Sequence, residues 1–499
     1  MKRVILFITA GLLTFTSCKK FLDVNSNPNS AIKVPSSVLL PTTTIGIGWA
    51  NQNELGRATS ILMQYNAGIA NQNLTYDSYN ISGLFDNQWN YEIFVGCVNN
   101  LQIIIKQSEQ TDPAYSGIAK IQLAYIFSVL TDLWGDVPYS QAGFGLEYSS
   151  PRYDKQSDIY QGNASLGIVS LFDLVKSGIA DLNKPSALKP SSDDLVYGGD
   201  LNKWKKAGNS LILKFANTIS GVNPALAKSQ IEGVLASTDG YITANSGSTT
   251  ATATELQVPF STAVNNMNPN YVADYYGSFK NGQMLSSRLL ALSNSLNDNI
   301  RLSKFYTKPS GNFVGFDNGS NSAAPALATR SMYNNYIVGG GTAAPSATNG
   351  GDGPARLLTN FQMKFILAES AITLGTPGNA NTLYQEGIRA SMSKVGMTTA
   401  EIDAYFLANP TVVNLSGTDQ DKIKQIITQK YLAWVGNGIE AYNDYRRTGY
   451  PVLAPAINAT GDNNGNIPLR FVYTPQESNT NPNQPKPLVK TSVKVWWGK

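Results

Sequence analysis

Apolar positions recur along this chain at helical spacing, in runs separated by polar punctuation. Leu55, Ala58, Ile61, Leu62, Tyr65 and Ile69 share one face at a 3.6-residue period, and Trp89, Ile93, Cys97, Leu101 and Ile104 share another. Asp112 ahead of Pro113 sets a capping residue before proline at the first helical position, opening a run through Ile118, Ile121, Tyr125 and Leu130 that ends near Gly135. Ser157 is predicted to cap a helix carrying Leu166, Val169, Phe172, Val175, Ile179 and Leu182, and Asp200 one carrying Trp204, Leu211, Phe215 and Ile219. Helices are predicted again over 356–375, 381–395 and 419–434. From about 237 to 352 the character changes, with long Ser/Thr/Asn/Gly stretches interrupting shorter pieces, and loops of that length usually carry function. The tail from Pro451 onward is irregular and rich in proline.

The helices over 356–375 and 381–395 form the clearest paired unit. Phe365, Ala368 and Ala371 on the first and Tyr384, Gly387, Ile388 and Ala390 on the second let two helices approach closely, as in tetratricopeptide-type hairpins, although no strict 34-residue repeat is met. The fold predicted is mainly α, with such hairpins as scaffold and long irregular loops forming a ligand-binding face.

The first 17 residues have the layout of a bacterial lipoprotein export signal. Lys2 and Arg3 form a basic head, Val4 to Phe15 an apolar stretch too short for a membrane span of roughly 20 residues, and Thr16 and Ser17 the small residues before a cut. Cleavage would leave Cys18 as the first residue, its thiol free to carry a lipid. Lys19 rather than aspartate follows, which favours the outer membrane, lipid-anchored and surface-exposed. The predicted organisation is a signal over 1–17, anchor and tether over 18–36, and one helical domain over 37–499, with its irregular insert at about 237–352.

Composition narrows the chemistry. Histidine is absent, which excludes Ser-His-Asp and Cys-His nucleophilic sites and histidine-ligated zinc. A formal charge of +4, or +2 without Lys2 and Arg3, gives no electrostatic footprint for nucleic acid. No phosphate-binding glycine loop occurs, and neither cofactor nor metal is expected; the Asp/Asn-rich stretch over 461–466 reads as a solvated turn. Beyond Cys18 the only cysteine is Cys97, in an apolar helical run, so no internal disulfide is expected.

Five stretches in order carry a resemblance. They are Cys18-Lys-Lys-Phe-Leu-Asp-Val-Asn-Ser-Asn-Pro-Asn29, Asp132-Leu-Trp-Gly-Asp-Val-Pro-Tyr139, Trp204 to Ala216 with its Asn-Ser-Leu core, Glu440-Ala-Tyr-Asn-Asp-Tyr-Arg-Arg-Thr-Gly-Tyr-Pro451, and Ile467-Pro-Leu-Arg-Phe-Val-Tyr-Thr-Pro475. Together they resemble the SusD/RagB family of outer-membrane nutrient-binding lipoproteins. The resemblance implies a lid over a SusC-like TonB-dependent outer-membrane transporter that captures oligosaccharide, or in some members peptide, without catalysis. A surface glycoside hydrolase or an adhesin is the remaining alternative. The shared motifs themselves read as architecture: Asp136 is suited to accept backbone N–H bonds, and Arg446 and Arg447 to hold Asp444 or helix C-terminal carbonyls.

Sugars present apolar C–H faces ringed by hydroxyls, so a site for them needs aromatic platforms beside amides and charged groups. The segment 71–89, read as a loop between two helices, has that mixture in Tyr76, Asp77, Tyr79, Asn80, Phe85 and Trp89, and matches in position a ligand-contacting region of the resembling proteins. Tyr275, Tyr276, Phe316 and Tyr336 complete the candidate set. Tyr76, Tyr79 and Tyr276 are expected to be exposed, whereas Trp89 is the candidate closest to the core.

Overall fold

Pro35 has an extended backbone (φ −61°, ψ 148°), and the first helix begins immediately after it. This helix, α1 (Ser36–Gln52), therefore takes in the last residue assigned to the tether. The computed structural model describes residues 34–247, 249–309 and 311–499; the export signal, Cys18 and the tether up to residue 33 lie outside the described residues. A break at Asn53 separates α1 from α2 (Glu54–Leu62), and α3 (Gln72–Asp77) follows. The run carrying Trp89, Ile93 and Cys97 is a π-helix over Gln88–Asn99 that passes into α4 (Asn100–Ser108). Its hydrogen bonds to the fifth residue back widen the turn, so apolar residues spaced strictly by four stay on one face.

α5 (Pro113–Trp134) is buried along its whole length. It ends where predicted, at Gly135, whose φ of +79° favours a residue without a side chain. α6 (Leu171–Leu182) packs on α5 through two glycines: a Cβ on Gly117 would lie 2.7 Å from the Gly178 carbonyl oxygen. Ser170, not Ser157, caps α6 by accepting from the Asp173 N–H. Ser157 sits instead in a short helix, Gln156–Gln161, that stops at Gly162 (φ +82°). α7 (Leu201–Ile219) is capped by Asp200 as predicted, and α8 (Pro224–Leu235) returns along it.

The predicted close pair is present as α9 (Asn360–Thr373) and α10 (Ala380–Lys394), with the Gly387 backbone pressed on Phe365. α11 (Asp419–Ala433) packs on both, and α12 (Gly438–Thr448) packs on α2. Ion pairs that have left water stitch these helices together. Lys214 meets Glu440 at 2.8 Å and Lys430 meets Asp444 at 3.0 Å, while Arg447 binds both Glu369 and Asp444. Arg446 donates to the Asp132 carbonyl at 2.6 Å, near the end of α5, and the Asp136 carboxylate accepts from the Gln156 N–H at 2.8 Å. The shared motifs at 132–139 and 440–451 thus act as architecture in this chain.

Strands are few. Asn66–Gly68 pairs antiparallel with Gln283–Leu285, Val137–Pro138 with Tyr153–Asp154, and Leu256–Val258 with Ala355–Leu358. The tail from Pro451 is irregular, yet Phe471, Tyr473 and Trp497 are buried. It crosses the helical body as a cover, with the Phe471 N–H donating to Leu133 O at 2.7 Å and Trp134 Nε1 to Val472 O at 3.0 Å.

Candidate functional site

The ribbon joining 66–68 to 283–285 places two loops side by side. Ile69 and Ala70 N–H groups donate to the Gly282 carbonyl, so the segment ahead of Gly282 lies against the start of α3. Positive φ at Asn71 (+57°) and Asn281 (+64°) makes the turns at the two ends. The segment over 272–276 is a single π-helical turn, closed by Gly277 N–H to the Val272 carbonyl at 2.7 Å. Asn71 Nδ2 reaches the Phe279 carbonyl at 3.4 Å and ties the two loops.

Between them opens a cleft of about 510 Å³. Trp49 from α1, Asn53, Glu54 and Arg57 from the α1–α2 junction, Asn71 to Asn73, and the 269–279 segment line it. Phe279 is 77% exposed and offers an unobstructed aromatic face; Trp49 is half-buried. Arg57 sits 3.6 Å from Glu54, so the pair is close to neutral overall. Asn53 is held by the Glu92 carboxylate at 2.7 Å, and burial raises the Glu92 carboxyl above its ordinary range. Asn73 is buried at the cleft wall, and its Oδ1 has no partner among the described residues. The cleft combines two aromatic surfaces with amide donors and acceptors and little net charge.

The residues nominated from sequence distribute differently. Tyr76, Tyr79, Phe85 and Trp89 are buried, which corrects the expectation that Tyr76 and Tyr79 are exposed. The cause is the tail: Phe85 stacks on Phe471 with centroids 4.6 Å apart, Tyr79 Oη accepts from the Ala456 N–H at 2.8 Å, and Trp89 meets Tyr473 edge-on at 6.3 Å. The Tyr76 ring stacks on Phe85 beneath the cleft, and its hydroxyl is raised far above the ordinary tyrosine range, chiefly by burial. Asp77 is a structural acceptor, taking bonds from Asn318 Nδ2 at 2.6 Å and from the Gly319 N–H; burial pushes it up to about 6. Asn80 is exposed, and it is tied to Thr460 of the tail at 2.6 Å. The segment 71–89 is also not one loop, since α3 and the start of the π-helix occupy it.

Among the other nominated residues, Tyr276 is exposed at 42% as expected, stacked 6.1 Å from Tyr271. Tyr275 turns to the opposite side of the same segment, where its hydroxyl donates to Tyr333 O at 2.6 Å. Phe316 and Tyr336 are half-buried away from the cleft; Tyr336 carries the Arg356 guanidinium 3.6 Å above its ring. Sequence reasoning missed Trp49, Arg57, Asn73 and Phe279. The available signals were the Asn71-Gln72-Asn73 amide run and an aromatic, Phe279, in a stretch of Gly, Ser, Lys and Asn.

Among the described residues no group of three or more Cys, Asp or Glu is placed to hold a metal ion. The stretch 461–466 is a turn whose Asp462 accepts from Ser82 and Thr491. No described helix is long and apolar enough to cross a membrane. A family profile described as starch-binding, associating with the outer membrane, matches residues 28–474.

The chain belongs to the SusD-like family.

Solved structures agree with that assignment. A chitin-binding protein superposes on the SusD-like chain with a TM-score of 0.74 at 25% identity, covering 93% of this chain and 100% of its own. A SusD homolog from Bacteroides uniformis has a TM-score of 0.72 at 24% identity, covering 93% and 98%. A chitin-binding SusD homolog from Flavobacterium johnsoniae has a TM-score of 0.72 at 21% identity, again covering 93% and 98%. The last two establish the fold alone. No curated protein matches the sequence.

Proposed function

We propose that this SusD-like protein is a surface lipoprotein, anchored through Cys18, that holds an oligosaccharide in the cleft between Trp49 and Phe279 and passes it to a SusC-like TonB-dependent transporter. The observation that carries the reading is Phe279, a large aromatic left 77% exposed at the mouth of a cleft whose other lining joins Trp49 and small apolar residues to amides and one ion pair. An apolar side chain held out to water gains from covering, and a pyranose ring covers it while offering hydroxyls to Asn71, Asn73 and Arg57. The family description and the chitin-binding relatives support a glycan as ligand. Capture without cleavage is supported by the lining: Glu54 is the sole carboxylate among the cleft residues, it is paired with Arg57, and glycoside hydrolysis ordinarily uses two acids.

Screening the soluble body on a neutral glycan and peptide array, followed by calorimetry of the best ligand, tests this. Phe279→Ala is expected to weaken an oligosaccharide about tenfold, or ~1.4 kcal/mol, with an unchanged melting temperature. Retention of peptides alone, or unchanged affinity in the variant, contradicts the reading.

A further inference from the structure

On the far side of the 275–281 segment lies a second, more open cleft of about 690 Å³. Tyr275 forms part of its wall, with Met332, Leu327, Pro309 and Pro345 as apolar lining. Its charged lining residues are Lys280, Lys308 and Arg330, with no carboxylate among them. Among the buried cations, Lys214, Lys394, Lys430 and Arg447 are each paired with a carboxylate, while Arg446 and Arg470 are held by backbone carbonyls.

Arg330 and Lys308 are held in place by neutral groups. Arg330 Nε donates to the Pro325 carbonyl at 2.8 Å and Nη1 to the Asn281 carbonyl at 3.2 Å, while Nη2 has no hydrogen-bond acceptor among the described residues. Arg330 is half-buried, and partial loss of hydration lowers its guanidinium below the ordinary value. Lys308 Nζ stands 4.4 Å from the Phe313 ring centroid, which braces the ammonium without neutralising it. Lys280 is exposed and follows Phe279 directly, so the aromatic face of the first cleft and a cation of the second lie on adjacent residues.

We infer that this second cleft is an anion subsite, and that the oligosaccharide it takes carries carboxylate or sulfate groups that lie against Lys280, Lys308 and Arg330. The inference rests on the glycan-binding reading above and narrows it to acidic glycans. A planar guanidinium with a free edge suits a carboxylate or sulfate, and the lysines act as point charges beside it. A ligand reaching both clefts crosses the 275–281 segment, stacking on Phe279 and placing its charged substituents beyond it.

The test is calorimetric titration of the soluble protein with oligogalacturonate, with chondroitin sulfate oligosaccharide, and with the neutral oligosaccharide selected on the array. The double variant Lys280→Glu/Lys308→Glu changes two exposed side chains, and circular dichroism checks its fold. At least one acidic oligosaccharide is expected to bind the native protein at least tenfold more tightly than the neutral one, to lose that advantage in the double variant, and to weaken as salt rises from 50 to about 300 mM. Whether oligogalacturonate or the sulfated chain responds identifies the anionic group. Neutral binding that depends on Phe279, with no preference for either acidic oligosaccharide or no effect of charge reversal, overturns the inference and leaves the glycan reading intact. Failure to bind any oligosaccharide overturns both, and binding of polyglutamate that is lost in the double variant, with no acidic-oligosaccharide binding, overturns the inference and assigns the subsite to peptide instead.

Discussion

Asp274 lies inside the protein within the π-helical turn at the cleft wall, where its carboxylate accepts from Gln283 Nε2 at 2.8 Å. Loss of hydration pushes its carboxyl up to about 7, and Asp77, the last residue of α3, is pushed up to about 6 by the same cause. Both values exceed the roughly 3.9 of an aspartate in an unfolded chain. Between those limits the folded state holds more protons than the unfolded one, so the stabilisation these groups give is complete below pH ~4 and is lost as pH rises through about 6 to 7. Asp274→Asn, which keeps the shape and an acceptor without the charge, is therefore expected to melt higher than the native protein at pH 8 and nearly equally at pH 4.5. Equal melting temperatures at pH 8 would show that burial does not penalise the Asp274 carboxylate. At this scale the sequence was legible by neighbourhood but not by orientation. The segments 71–89 and 270–279 both border the cleft, yet the side chains facing it are Asn71, Asn73 and Phe279 rather than Tyr76 and Tyr79. Phe85 and Tyr79 are covered by residues 456–471, nearly 400 positions away, a contact that no local pattern encodes.

Gly387 shows what holds a hairpin together. A Cβ there would stand 2.8 Å from the Phe365 ring, so α9 and α10 approach to a distance only glycine permits. Replacing it by leucine gains about 1 kcal/mol of helix propensity and forces Phe365 aside at about 1–3 kcal/mol or more, and the clash wins because Phe365 is fully buried. Gly387→Leu should lower the denaturant midpoint with little change in the helical spectrum; an unchanged midpoint would mean that the hairpin has room to spare. Long helices such as α5, α7 and α11 were legible because period and end signals agree, as at Asp200 and Gly135. α1 was not, because Pro41 and a run of threonine and glycine blur its period, and Trp49, one wall of the cleft, was overlooked with it. The helix predicted from Ser157 failed for a local reason: Gly162 and Gly167 adopt left-handed backbone that interrupts the run until Ser170 restarts it.

At the scale of the whole molecule, rigidity and function are separated in sequence. The helical hairpins and their buried ion pairs make the body, the tail closes over it, and the cleft forms where the 66–73 and 269–285 segments are tied by a short ribbon. The family motifs among the described residues map to the body, so family membership was legible while the ligand-facing residues, which those motifs do not contain, were not. The central claim is that an oligosaccharide rests on Phe279 between Trp49 and the amides of Asn71 and Asn73. The most direct measurement is a crystal structure of the soluble body with the tightest-binding oligosaccharide from the array. A sugar ring packed flat on Phe279, with its hydroxyls bonded to those amides or to Arg57, is the predicted result. An intact oligosaccharide seated elsewhere, with the cleft empty, would contradict it.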